Sequence, residues 1–163
     1  MCQYPGMKKK KPTHISEIKL TYTRKVKANE RPKVTCSRDA YVLFRENWDD
    51  LTINLYEEFK ILLLDRNNRC MGIVPISQGG VSGTIADAKL IFSSALKARA
   101  CGIILGHNHP SGNTNPSGPD KTLTNNLVKG GSYLDLQVLD HIIVTDEAYT
   151  SFADEGLIKM PSP

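Results

Sequence analysis

At 163 residues, with 40% hydrophobic and 23% charged residues, the chain has the composition of one ordinary globular domain with enough apolar material for a core. No apolar run approaches the ~20 residues that cross a bilayer, and no apolar segment follows the N-terminal lysines as a secretory signal would require, so the expected compartment is the cytoplasm, with no membrane partner. The formal charge of +4 is uneven, with 12 Lys or Arg against 3 acids in residues 1–45 and 9 against 14 in the remainder.

In chain order, residues 1–13 hold Pro5, Gly6, Pro12 and the run Lys8, Lys9, Lys10, Lys11, which reads as a disordered basic tail. Those lysines are the expected place for a weak nucleic-acid contact, although a solvated tail is the plainer reading of such a run. Ile18, Leu20 and Tyr22 alternate with Lys19, Thr21 and Thr23 as in a half-buried strand. Ser37 then suits the cap of a helix running to about Asn47, with Ala40, Tyr41, Phe44 and Trp48 on its buried side. Cys2, Cys36, Cys70 and Cys101 lack CxxC or CxxH spacing, which predicts reduced thiols rather than a structural zinc site.

From Glu57 to Asp65 runs a nearly continuous apolar strand, entered by Glu57 and Glu58 and left through the turn Asp65-Arg66-Asn67-Asn68-Arg69. Cys70 to Ile76 is the returning strand, and the two suggest a central hairpin. Ser77 to Thr84, with Gly79, Gly80 and Gly83, is a flexible connection without a phosphate-cradling motif. Ala88, Ile91, Phe92, Ala95, Leu96 and Ala98 mark an amphipathic helix between Ala86 and Arg99, followed by a strand from Cys101 to Leu105. Leu123, Leu127 and Val128 mark a further helix, expected to stop at Gly130-Gly131. Leu136 to Val144 is an apolar strand carrying Asp140 and His141, and Tyr149 to Phe152 is a short last strand.

Chemistry concentrates where the Cys101–Leu105 strand ends. His107 and His109 are two residues apart, so alternation in an extended segment puts both rings on one side. After a loop rich in Pro, Gly, Asn and Ser, Ser117 and Asp120 stand at a helix entrance, where Asp120 offers a third ligand. Catalytic zinc takes three protein ligands and keeps one position for water. Ser117-Gly-Pro-Asp120 is also a capping box, and Ser117 is placed as a hydrogen-bond donor near a developing oxyanion. Either glutamate at the mouth of the 57–65 strand is a candidate general base, and spacing does not choose between them.

His107-Asn-His109, seven residues, Ser117, two residues and Asp120 resemble the HxHx7SxxD signature of the JAMM (MPN-plus) metalloproteases. Gly106-His-Asn-His-Pro-Ser-Gly112, Pro116-Ser117 with Asp120, Leu139-Asp-His-Ile-Ile143 and Ser151-Phe152 resemble the JAB domain of RadC-like proteins more closely. The resemblance divides the chain into the tail 1–13, a strand and helix extension 14–56, and a JAB/MPN metal-binding domain 57–158. It implies an α/β fold with a curved mixed sheet flanked by helices, related in shape to the cytidine deaminases, and Zn2+ held by His107, His109 and Asp120. In RadC-like sequences the base stands two residues before a Phe that starts an apolar strand ending in Asp, so the resemblance selects Glu57 over Glu58; neighbours on a strand face opposite sides, and only one of the pair can address the metal. The implied activity is zinc-dependent hydrolysis of a peptide or isopeptide bond in a peptide or protein substrate.

The alternative is a nucleic-acid-associated, DNA repair-like binding protein with a structural or idle metal site. A deaminase would need HxE with PCxxC, which is absent, and a nuclease more carboxylates at the metal. His141 is considered as a fourth ligand, but the triad needs an open position, which assigns it a supporting or structural place. Two departures from the RadC-like pattern stand out: the first 50 residues show no helix-hairpin-helix motif, and Thr84-Ile-Ala-Asp-Ala-Lys replaces the usual Val-His-Pro-Arg-Glu.

Overall fold

The computed structural model describes residues 26–79 and 86–159. The lysines Lys8 to Lys11, His14, the strand expected over Ile18 to Thr23, and Gly80 and Gly83 lie outside the described residues. The ordered elements are α1 (Ser37–Glu46), β1 (Glu58–Leu64), β2 (Cys70–Gln78), α2 (Ala88–Lys97), β3 (Gly102–Asn108), α3 (Gly118–Ser132), β4 (Gln137–Val144) and β5 (Tyr149–Ser151). They form the expected α/β domain: one mixed sheet of order β2-β1-β3-β4-β5 with helices on both faces.

The topology moves the expected centre. β1 and β2 do form a hairpin, but β1 also pairs antiparallel with β3, and β3 pairs parallel with β4, so β3 is central and the hairpin lies to one side. Sequence adjacency favours the hairpin, whereas pairing on both edges goes to β3 as well, all seven of whose residues are buried.

Alternation along the strands builds two cores. Leu62, Leu64, Ile104, Ile142 and Val144 face α1 and meet Ala40, Phe44 and Trp48. Phe59, Ile61, Leu63, Ile103, Leu105 and Val138 face the other way and meet Ile91 and Ala95 of α2 and Leu127 and Val128 of α3. A strand apolar on both sides is what coverage of both faces demands. The polar exception on β1 is Lys60, only 7% exposed. Its Nζ reaches Glu58 at 3.0 Å and the Asn47 carbonyl at 3.0 Å, and lies 4.1 Å from the centroid of the Trp48 ring. The ion pair, hydrogen bond and aromatic face together keep that charge tolerable inside.

Two helix ends differ from expectation. Cys36, not Ser37, is the N-cap of α1, because Asp39 bonds back to the Thr35 and Cys36 amides and sets the first turn one residue earlier. α3 passes through Gly130-Gly131 to Ser132. Gly131 serves close packing there: a Cβ on it would lie 2.3 Å from the Leu136 carbonyl oxygen, so only glycine lets the chain turn back tightly into β4.

Gly106 on β3 has the same role toward α1, since a Cβ there would lie 2.7 Å from the Phe44 ring. Gly106→Ala is expected to destabilise the fold by about 1–3 kcal/mol in urea denaturation, with Phe44→Leu in the same chain recovering part of the loss. An unchanged midpoint for the single variant would contradict this seating of α1.

Candidate metal centre

β3 brings the first two ligands to the sheet's α3 face. His107 is 1% exposed and pairs in register with Phe59, whose ring lies parallel to its own at 6.1 Å. The chain continues extended to His109, where the two rings meet edge-on with Nε2 to Nε2 at 2.9 Å. Asp120, in the first turn of α3, approaches from above: its Oδ1 is 3.5 Å from His107 Nε2 and its Oδ2 is 3.9 Å from His109 Nε2. One ligand atom from each of the three lies within 4.8 Å of the others, the arrangement expected from the sequence.

The loop that returns Asp120 is fastened at both ends. His109 Nδ1 contacts the Asn113 carbonyl at 2.5 Å, which turns its Nε2 inward. At the helix entrance the Ser117 amide donates to Asp120 Oδ2 at 2.8 Å, and the Asp120 amide donates to Ser117 Oγ at 3.2 Å. The capping box is therefore real, and the bonds that cap α3 are the bonds that aim the Asp120 carboxylate. Ser117 itself is exposed; its hydroxyl accepts a bond here and has its own proton to donate.

Burial sets the protonation states. Removal from water lowers the His107 pKa from 6.5 to about 4, with His109 adding to the effect and Asp120 opposing it. Burial alone would raise the Asp120 carboxyl, but His107, the two Ser117 hydrogen bonds and His109 together hold it below its ordinary value. A neutral His107 imidazole and an ionised Asp120 carboxylate are thus gathered beside the His109 ring, with the Nε2 atoms of both histidines directed inward. With both Nδ1 atoms engaged elsewhere, the two Nε2 atoms face one another at 2.9 Å and the Asp120 carboxylate approaches both. An N, N, O donor set of this kind fits a divalent transition metal, zinc among them.

His141 takes no place among the inward ligands. Its ring, fully buried on β4, sits behind His107, with Nε2 2.7 Å from His107 Nδ1 and Nδ1 2.6 Å from Thr124 Oγ1. Phe152 stacks on it at 4.6 Å and Phe59 meets it edge-on at 5.6 Å. Thr124, also fully buried, went unnoticed in the sequence; the available signal was its place one helical turn beyond Asp120.

The glutamates part as alternation requires. Glu58 faces the α1 side, where it pairs with Lys60 and accepts from the Thr52 hydroxyl at 3.2 Å, so its carboxylate is committed away from the triad. Glu57 is half-buried just before β1, and its carbonyl accepts from the Gly79 amide at 2.8 Å. The β1/β3 pairing ends with Phe59 opposite His107, and Glu57 lies two residues before Phe59, the spacing that alternation gives to one face of a strand. The residue between the histidines holds this segment in place. Asn108, fully buried and pointing the opposite way, donates to the carbonyls of Ile53 at 2.6 Å and Tyr56 at 2.9 Å, and accepts from the Glu58 amide at 2.7 Å. The sequence reading passed over it, although an amide at a strand position between two inward histidines must satisfy its hydrogen bonds on the far face.

A family model described as the RadC-like JAB domain matches residues 34–157, a span that holds the triad, Asn108, Thr124 and His141. The chain belongs to the RadC-like JAB family. This RadC-like chain is 42% identical over 125 residues to a UPF0758 protein of Flavobacterium johnsoniae, covering 77% of the chain and 53% of the relative. It is 39% identical over 140 residues to a UPF0758 protein of Porphyromonas gingivalis, covering 85% and 62%. A UPF0758 protein of Methanosarcina mazei is 33% identical over 161 residues, covering 98% and 69%. The chain thus spans between about half and two thirds of the length of these curated relatives. Among the described residues no helix is long and apolar enough to cross a membrane.

Two outcomes follow for the metal-free RadC-like protein. Because the folded state holds His107 near pKa 4 while the unfolded chain titrates near 6.5, the unfolded state binds more protons in between, and stability should rise as pH increases across that window. Urea unfolding of chelator-treated protein at pH 4.5 and 7 measures this, and His107→Gln should reduce the difference; equal pH dependence in both proteins would contradict the buried neutral imidazole. Asn108→Asp, which turns a carboxyl toward two carbonyls, should cost about 2–4 kcal/mol of stability in the same measurement at pH 7. A loss within experimental error would show that the clamp carries no weight.

Proposed function

We propose that this RadC-like chain is a zinc-dependent hydrolase that cleaves a peptide or isopeptide amide. The observation that carries the reading is the triad itself: His107 Nε2, His109 Nε2 and an Asp120 carboxylate oxygen turned toward one space, with the remaining ring nitrogens and the Asp120 cap engaged elsewhere. The side of the triad formed by His109 and Asp120 is partly open, which gives an extended substrate a direction of approach.

When bound, zinc supplies Lewis acidity and brings the pKa of a coordinated water down to about 7. His107, His109 and Asp120 would hold the ion. Glu57, two residues before the Phe59 that pairs with His107, takes the proton of the attacking water and returns it to the leaving amine. The Ser117 hydroxyl, which accepts from the Asp120 amide, donates its own proton toward the oxygen that gains charge as the carbonyl is attacked. Glu58 is bound to Lys60 and takes no part.

Metal quantification beside a screen of peptide and isopeptide substrates tests the assignment. Purified protein should carry about one zinc per chain, and Asp120→Ala should lose it. Glu57→Gln should keep the metal while cleavage falls by roughly 10²–10⁴-fold, the range for loss of a general base. Folded protein that takes up no zinc, or a Glu57→Gln variant as active as the parent, would overturn the reading.

A further inference from the structure

Behind the triad runs a chain of short polar contacts that ends on a backbone carbonyl, a group that can only accept. Thr124 Oγ1 lies 2.6 Å from the Asp120 carbonyl oxygen and 2.6 Å from His141 Nδ1. A carbonyl can only accept, so at that separation the hydroxyl proton belongs on the line to Asp120. The hydroxyl has no second proton, so the contact to His141 is a hydrogen bond only if His141 Nδ1 carries a proton and donates it.

That assignment propagates. The His141 ring is enclosed by Phe59, Phe152, Thr124 and His107, surroundings that disfavour an imidazolium, so a proton on Nδ1 leaves Nε2 bare. His141 Nε2 is 2.7 Å from His107 Nδ1, and this contact is a hydrogen bond only if His107 Nδ1 donates. His107, buried in turn, then has a bare Nε2, the atom that faces His109 and Asp120. We infer that Thr124 and His141 are positioning residues that fix His107 in its Nδ1–H tautomer and so keep its Nε2 lone pair available to a metal.

The chain closes on the same helical turn that supplies the third ligand, because its acceptor is the backbone carbonyl of Asp120. One segment of α3 therefore presents a ligand from its side chain and, through its carbonyl, dictates the tautomer of another. This inference rests on reading the triad as a metal site, but the tautomer is a property of the metal-free protein and is measurable there.

Thr124→Val keeps the shape of the side chain and removes the hydroxyl that accepts the His141 Nδ1 proton. The alternative tautomer, with Nε2–H on His141, then donates to His107 Nδ1 and moves the His107 proton to Nε2, where His109 Nε2 at 2.9 Å can accept it. The ligand lone pair is thereby lost.

The test is a long-range proton–nitrogen correlation spectrum of 15N-histidine-labelled, metal-free protein at pH 7, with zinc affinity measured on the same samples. In the parent protein His107 and His141 should both show Nδ1–H. In Thr124→Val both should shift toward Nε2–H, with zinc affinity about 10–100-fold weaker, the usual cost of removing an outer partner of a ligating histidine. Thr124→Ser, which keeps the hydroxyl, should restore both signals. An Nε2–H tautomer on His107 of the parent protein overturns the inference even if Thr124→Val does not fold, and so does a folded Thr124→Val variant with parental tautomers and affinity. A parent protein with the assigned tautomers that binds no zinc leaves the hydrogen-bond chain standing and removes the hydrolase reading alone.

Discussion

The structure depends on a polar triplet at the end of a fully enclosed strand, two of its members buried and the third half-buried. β3 lies at the centre of the sheet with helices on either side, and a polar group there is costly unless its hydrogen bonds are made within the protein. His107, Asn108 and His109 meet that requirement by pointing alternately. The histidines turn to the α3 face and are received by His141, Asp120 and the Asn113 carbonyl. Asn108 turns to the other face and is received by the backbone of 53–58. The two faces are thereby coupled: the strand that carries the two inward histidines also fastens the 53–58 segment through Asn108.

The capping box shows why a structural and a functional reading of the same residues need not compete. Ser117 and Asp120 satisfy the first amides of α3, as any good N-cap does, and the carboxylate gains from the positive end of the helix. What makes the arrangement more than a cap is the pair of inward imidazole nitrogens facing it. Burial keeps His107 neutral and thus a ligand, while the cap and the neighbouring rings keep Asp120 ionised. Opposite effects of the environment on a base and an acid give the same result, a donor set ready for a cation.

Local spacing carried much of this into the sequence. His107, His109, Ser117 and Asp120 fall within fourteen residues, and the strand and helix on which they ride are marked by their own apolar periodicity. What was not legible depends on contacts distant in sequence. That Glu58 is committed to the α1 side depends on its ion pair with Lys60, whose ammonium in turn lies over the Trp48 ring. The central place of β3 follows from its pairing with both β1 and β4, whereas the hairpin signal reports only neighbours in the chain. Gly131 looked like a helix stop because glycine commonly is one, and its actual function, clearance for the Leu136 carbonyl, exists only in the packed molecule.

β4 shows the same point in its most consequential form. Val138 packs on the α2 and α3 side, so simple alternation would carry Asp140 to that side and turn His141 toward α1. The β3/β4 register instead slips by one residue between Ile103 and Ile104, pairing Ile103 with Val138 but Ile104 with Asp140. A slip of one residue exchanges the faces of everything that follows. It delivers His141 opposite Leu105, on the side of His107, and sends Asp140 to the other side, where it accepts from the Ser151 hydroxyl at 2.6 Å and from the Ala153 amide at 2.9 Å. Those two bonds hold the turn after β5, which in turn places Phe152 against the His141 ring. The irregularity in β4 is therefore what joins the C-terminal turn to the candidate metal centre: without it His141 would lie across the sheet from His107, and no hydrogen-bond chain could run from α3 through β4 to His107 on β3.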